Sequence, residues 1–72
     1  MVQHEVPIEL VVNGRKAESG ARTLADLIEE QGLGGAKVAT ALNGEFVPEA
    51  HRATTKLDGG DRVEIVSARQ GG

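Results

Sequence analysis

The residues whose types and spacing bear most directly on chemistry are the last two, Gly71 and Gly72. Paired glycines at a chain end cost backbone entropy when they are ordered and add nothing to a core. They leave a strip of backbone without side chains, thin enough to thread a narrow channel in another protein. The strip ends in a carboxylate, which is inert until one of its oxygens becomes part of a good leaving group. Adenylation by ATP would supply that group. A sulfur nucleophile arriving at the acyl-adenylate would leave a thiocarboxylate, itself a nucleophile at neutral pH. The plain alternative is a frayed end, because chain termini are commonly disordered.

The other groups with chemical potential point elsewhere or nowhere. There is no cysteine, which excludes a disulfide framework and a thiolate zinc site. Any sulfur this chain handles must sit somewhere other than on a side-chain thiol. His4 and His51 are far apart in sequence and lack the clustered spacing of metal ligands, so both read as solvated. Glu29-Glu30 is a possible contact for a basic partner, but a solvated helix face is the ordinary reading of such a pair. Gly34-Gly35 and Gly59-Gly60 match no complete phosphate-binding fingerprint, and turn chemistry accounts for both. Phe46 is the only aromatic residue. It reads as core packing, with an interface anchor as the second reading.

Length and composition narrow the function further. Seventy-two residues make one domain, burying about 60% of the surface that the unfolded chain exposes. The core must be built from Val, Ile, Leu and Ala. It leaves no room for a deep enclosed catalytic pocket, which would typically need roughly 300 Å³ or more, and this argues against an enzyme. The formal charge is −3, with eight Lys and Arg dispersed along the chain. Without a basic stripe, nucleic acid is not an expected partner. No apolar run is long enough to span a membrane. The first residues, Met1 to Glu5, lack the layout of a signal peptide. The expected location is the cytoplasm.

The elements that must hold the tail can be read in order. Residues 1–7 are a polar lead-in, and Pro7 suits a strand's beginning or edge. Ile8 to Val12 reads as a strand with Ile8, Leu10 and Val12 on one face. Asn13-Gly14 is a strong hairpin signal, and Arg15 to Glu18 is the return strand. After a loop, Thr23 caps a helix with Asp26 in its first turn. Leu24, Leu27 and Ile28 fall on one helical face. Gly32 ends this helix in a left-handed conformation, with Leu33 folding back on the last turn. Val38 to Leu42 is a third strand, Asn43-Gly44 a second tight turn, and Glu45 to Val47 a short fourth strand ended by Pro48. Glu49 to Lys56 carries weak signals and reads as irregular. Asp58 to Asp61 is a turn before a last strand, Arg62 to Val66. Ser67 onward has no packing signal.

One helix cannot cover both faces of the sheet these strands imply. The expected fold is α+β: a mixed sheet wrapped on one side around the helix, its other face bare. Leu10, Leu24, Leu27, Ile28, Leu42 and Ile65 are the expected core. If Val63 and Ile65 point inward, Glu64 and Val66 point outward by strand alternation. Ala39 and Ala41 lie on that outer face too. An exposed valine among small residues beside the tail suits a docking surface, although single exposed valines are also ordinary.

The order and spacing of the local sequence words carry a resemblance. Val38-Ala39-Thr40-Ala41-Leu42-Asn43-Gly44-Glu45-Phe46-Val47-Pro48 is similar to the pattern of the thiamine-biosynthesis sulfur carriers, the ThiS family. So is Leu57-Asp58-Gly59-Gly60-Asp61-Arg62-Val63-Glu64-Ile65-Val66, running into Gln70-Gly71-Gly72. Val12-Asn13-Gly14 and Thr23-Leu24-Ala25-Asp26-Leu27 fit the same pattern, and the resemblance spans Ile8 to Gly72. It departs after Pro48. There the family often shows a basic residue and then a tryptophan, whereas this chain reads Glu49-Ala50-His51-Arg52. That departure bears on any partner contact made through the loop.

The resemblance implies a ubiquitin-like β-grasp domain over residues 1–67 and a flexible tail over 68–72. It implies that Gly72 is the site of adenylation and thiocarboxylate formation, with Gly71 and Gln70 in the tail that reaches the partner. The implied partners are an adenylating activating enzyme, a sulfur donor protein and thiazole synthase. No metal or bound cofactor is implied, ATP being used by the activating enzyme. A small subunit of molybdopterin synthase and a ubiquitin-like modifier are alternatives of the same type. A β-grasp interaction module that never uses its terminus is the alternative of another class.

Overall fold

Asn13-Gly14 joins strands β1 (Ile8–Val12) and β2 (Arg15–Ser19) in a computed structural model that describes residues 6–67. Asn13 and Gly14 have φ of 51° and 83°, the left-handed pair that a two-residue hairpin turn of the primed type needs. The strands pair antiparallel from Val12↔Arg15 to Ile8↔Ser19. The second Asn-Gly repeats the device. Asn43 and Gly44, at φ 50° and 87°, join β3 (Val38–Leu42) to β4 (Glu45–Val47). The last strand, β5 (Arg62–Ser67), runs one residue beyond the expected end, so Ser67 belongs to the sheet.

Helix α1 spans Leu24–Glu30. The Thr23 hydroxyl accepts from the Asp26 amide at 3.1 Å, satisfying one of the donors a helix start leaves open. At the other end Gly32 has φ 78°. Its amide bonds the Glu29 carbonyl, and the Leu33 amide bonds the Ile28 carbonyl, both at 2.9 Å. These two bonds form a Schellman cap with Leu33 folded back against the core. Seven residues are too few for a helix to persist alone in water. Packing of Leu24, Leu27 and Ile28, all buried, holds it in place. Glu30 adds a tie to the sheet by accepting from the Ser19 hydroxyl, so it is more than a solvated charge.

The strands form one mixed sheet in the order β2-β1-β5-β3-β4. β5 runs parallel to β1 and antiparallel to β3, so the strand that leads to the tail lies at the centre. Leu10, Leu24 and Val63 are fully buried, with Leu27, Ile28, Val47, Leu57 and Ile65 around them. Of the residues expected in the core, Leu42 is only half-buried, packed against this cluster from the rim. Phe46 corrects the sequence reading. It is 68% exposed, because its neighbour Val47 takes the inward position on β4. The core has no aromatic residue among those described.

The segment expected to be irregular is a 3₁₀ helix, Glu49–Thr54. Arg52 is its buried residue, and its guanidinium reaches under the sheet to β3. Hydrophobic periodicity does not mark this segment; the anchor is polar. No helix among the described residues is long and apolar enough to cross a membrane.

Candidate functional site

The site begins with the strand that feeds the tail. β5 is held near its start by both Asn-Gly turns. The Asn13 side chain accepts from the Ile65 amide at 2.8 Å and donates to the Ile65 carbonyl at 3.2 Å. This primary amide stands in for another residue of β1, extending the ladder along β5. Asn43 works from the other side, accepting from the Arg62 amide at 2.9 Å and donating to Asp61 Oδ1 at 3.1 Å. Its own amide bonds the Arg62 carbonyl at 2.7 Å. The two asparagines therefore serve as turn residues and as clamps on the central strand.

Strand alternation then builds the outer face. The register sets Ala39 opposite Val66, Ala41 opposite Glu64, and Ala41 also opposite Phe46. Val66 is 61% exposed, Ala39 is exposed and Ala41 is half-buried. Val66 and Ala39, singled out from the sequence, are thus brought face to face, with Ala41 two positions along the same strand. Phe46 completes the patch at the sheet edge. Its place was readable in advance: a two-residue Asn43-Gly44 turn pairs Leu42 with Glu45 and Ala41 with Phe46, which puts Phe46 on the outer face.

This surface is apolar where β3, β4 and β5 meet, with the exposed carboxylate of Glu64 set within it. It is contiguous, open and unencumbered by helices, which pack on the other side. An exposed aromatic among small residues is the composition of an interface anchor. Among the described residues, those that form this patch (Ala39, Ala41, Phe46, Glu64 and Val66) include no nucleophile–base pair. An open cleft of about 480 Å³ on another side is lined, among the described residues, by Gly34 to Val38, Glu49 and Arg52, none of which carries a hydroxyl, thiol or imidazole group. Among the described residues no cluster of three or more His, Asp or Glu is placed to hold a metal. His51 is exposed, and its carbonyl accepts from the hydroxyls of Thr54 and Thr55.

Gln70, Gly71 and Gly72, together with the expected mobility of 68–72 and the lead-in residue His4, lie outside the described residues. The described chain ends at Ser67, directly opposite Val38, one position beyond the Val66–Ala39 pair. Ser67, the last described residue, therefore sits beside the apolar patch, at the end of the central strand.

A sequence model of the ThiS family matches residues 8–72. The crystal structure of a thiamine biosynthesis protein (ThiS) from Geobacter metallireducens superposes with a TM-score of 0.75. It is 29% identical and covers 90% of this chain and 100% of its own. A thiazole synthase from Paramagnetospirillum magneticum is 36% identical over 66 residues, 90% of this chain. This chain spans only 20% of the length of that relative. The family match runs from the first strand through the final glycine, and the solved relative shares the sheet and its single main helix: the chain belongs to the ThiS family, with its ubiquitin-like β-grasp fold.

Proposed function

We propose that this chain is a sulfur carrier for thiamine thiazole synthesis, and that Gly72 is its working residue. The carrier is a co-substrate and not an enzyme. A Gly72 carboxylate oxygen attacks the α-phosphate of ATP held by an activating enzyme, and pyrophosphate leaves. A sulfur nucleophile at the sulfide level, supplied by a donor protein, then attacks the acyl-adenylate carbonyl. A C–S bond forms, the bond to AMP breaks, and the product is a thiocarboxylate. On thiazole synthase the sulfur passes to the acceptor substrate as the C–S bond breaks, an oxygen from that substrate or from water takes its place on the carbonyl carbon, and the regenerated Gly72 carboxylate returns for another cycle in the cytoplasm. No step calls on a metal, a bound cofactor or a side chain of the carrier.

The observation that carries this reading is the family match extending through residue 72, so that it includes the terminal Gly-Gly. Two others support it. The strand leading to the tail is central and doubly clamped, which suits a domain that must present its end at a fixed reach. The likeness to part of a thiazole synthase supports that enzyme as partner. Joined segments meet at the effective concentration their tether sets, and a carrier and its consumer must meet. The outer face of Val66, Ala39, Ala41 and Phe46 is the surface we assign to docking, with Gln70 and Gly71 entering the partner's channel.

The test is intact mass after incubation with ATP, the activating enzyme and a sulfur donor. The reading expects one oxygen replaced by sulfur on the terminal residue, and retention of the product by immobilised thiazole synthase. No mass change would leave an interaction module instead. Retention by the large subunit of molybdopterin synthase, and not by thiazole synthase, would reassign the pathway.

A further inference from the structure

β3 outruns β4. Their ladder stops at Thr40↔Val47, and continuing that register would set Pro48 opposite Ala39 and Glu49 opposite Val38. The chain has by then turned into the 3₁₀ helix, so the first two residues of β3 face no strand on that side. Arg52 fills the gap. Its Nη2 donates to the Val38 carbonyl at 2.6 Å and its Nε to Thr40 Oγ1 at 3.1 Å. Thr40 Oγ1 in turn donates to the Val47 carbonyl at 2.8 Å. Nη2 thus supplies the one donor that a longer β4 would have given to the Val38 carbonyl, and Nε ties the guanidinium to the Thr40 hydroxyl where the ladder stops. Only 9% of Arg52 is exposed, and hydrogen bonds from a buried cation are stronger than neutral ones.

The other edge of β3 carries the root of the tail. β1 faces β5 at Arg62 and Val63, and the Asn13 side chain extends that contact as far as Ile65. Val66 and Ser67 lie opposite Ala39 and Val38. Arg52, the start of β3 and the end of β5 form one mechanical series. We propose that Arg52 is a positioning residue for the end of β5: by holding the Val38 carbonyl on one edge of β3 it fixes the place of Ser67, paired across the other edge, from which the tail departs. This use rests on the carrier reading above. It gives a role to the segment at which the chain departs from its family's usual sequence. Arg52 acts from the inner side of the sheet, so it sets reach without touching the outer face assigned to docking.

The test compares Arg52→Met and Arg52→Lys with the native full-length chain, by amide hydrogen exchange and by the kinetics of thiocarboxylate formation. Loss of the fork should speed exchange at Ala39 and Val66 by about tenfold relative to the β1–β2 hairpin. It should lower kcat by on the order of tenfold with KM for the carrier unchanged, since reach is altered and docking is not. Arg52→Lys, keeping the charge but only one donor nitrogen in place of the fork, should fall between and decides the matter if the methionine variant does not fold. Exchange that rises evenly across the sheet, or a rise in KM at constant kcat, would overturn the proposal. If the native chain forms no thiocarboxylate, the carrier reading fails. The exchange pattern would still decide whether Arg52 holds the tail's root.

Discussion

At the scale of the residue, the informative side chains are those that alternation leaves outside. Phe46 is 68% exposed and Val66 61%, and each is separated from the core by its whole sheet. Phe46→Ala should leave folding within about ±0.5 kcal/mol, the usual range for a surface change. It should cost about 1–2 kcal/mol in affinity for the activating enzyme if the ring is an anchor. Val66→Asp should be as innocuous for folding and as harmful for docking, because the added carboxylate must be desolvated at the interface. Melting curves and titration calorimetry read the two effects separately. Unchanged affinity in both variants would return these residues to ordinary surface. Val66 was legible from strand alternation: with Val63 and Ile65 inward, Glu64 and Val66 fall on the outer face. Phe46 was misread because residue type was weighed above register: a lone aromatic suggests core, but the turn preceding it sends it outward.

At the scale of the element, the two Asn-Gly turns explain most of what could be foreseen. Their positive φ values set both hairpins, and hydrophobic alternation set the faces. What could not be foreseen is that the same asparagines would reach across to β5, since those contacts join residues 52 positions apart for Asn13 and 19 for Asn43. Asn13→Gly keeps the turn conformation and loses two hydrogen bonds, so it should cost about 1–3 kcal/mol. Asn13→Ala also places a Cβ at positive φ and should cost about 1–2 kcal/mol more. Urea unfolding should show lower midpoints in that order with the slope unchanged. Equal midpoints for Asn13→Gly and the native chain would mean that the clamp adds nothing. The 3₁₀ helix was illegible for a related reason. Ala50 and Ala53 are too small to make a periodic signal, and the segment's shape follows from the bonds Arg52 makes to Val38 and Thr40.

At the scale of the whole molecule, the domain is a thin two-layer body whose central strand ends in the tail. Its fold was legible because strand order, turn type and helix caps all agree, which is the consistency that gives a sequence a single structure. The chemistry assigned to it needs no pocket, only a carboxylate at the right distance from a docked surface. Deleting Gly72 leaves a carboxylate on Gly71 but withdraws it by up to about 3.5 Å of extended chain. Adding a residue after Gly72 puts bulk where the nucleotide phosphate must sit. A small misplacement of reacting atoms forfeits most of the advantage of proximity, and neither change touches a packed side chain. The most direct measurement is therefore the mass gained by the native chain and these two variants after incubation with ATP, activating enzyme and sulfur donor, taken beside their melting curves. The account predicts replacement of one oxygen by sulfur in the native chain, none in either variant, and superimposable melting. Normal thiocarboxylate formation by both variants would contradict it.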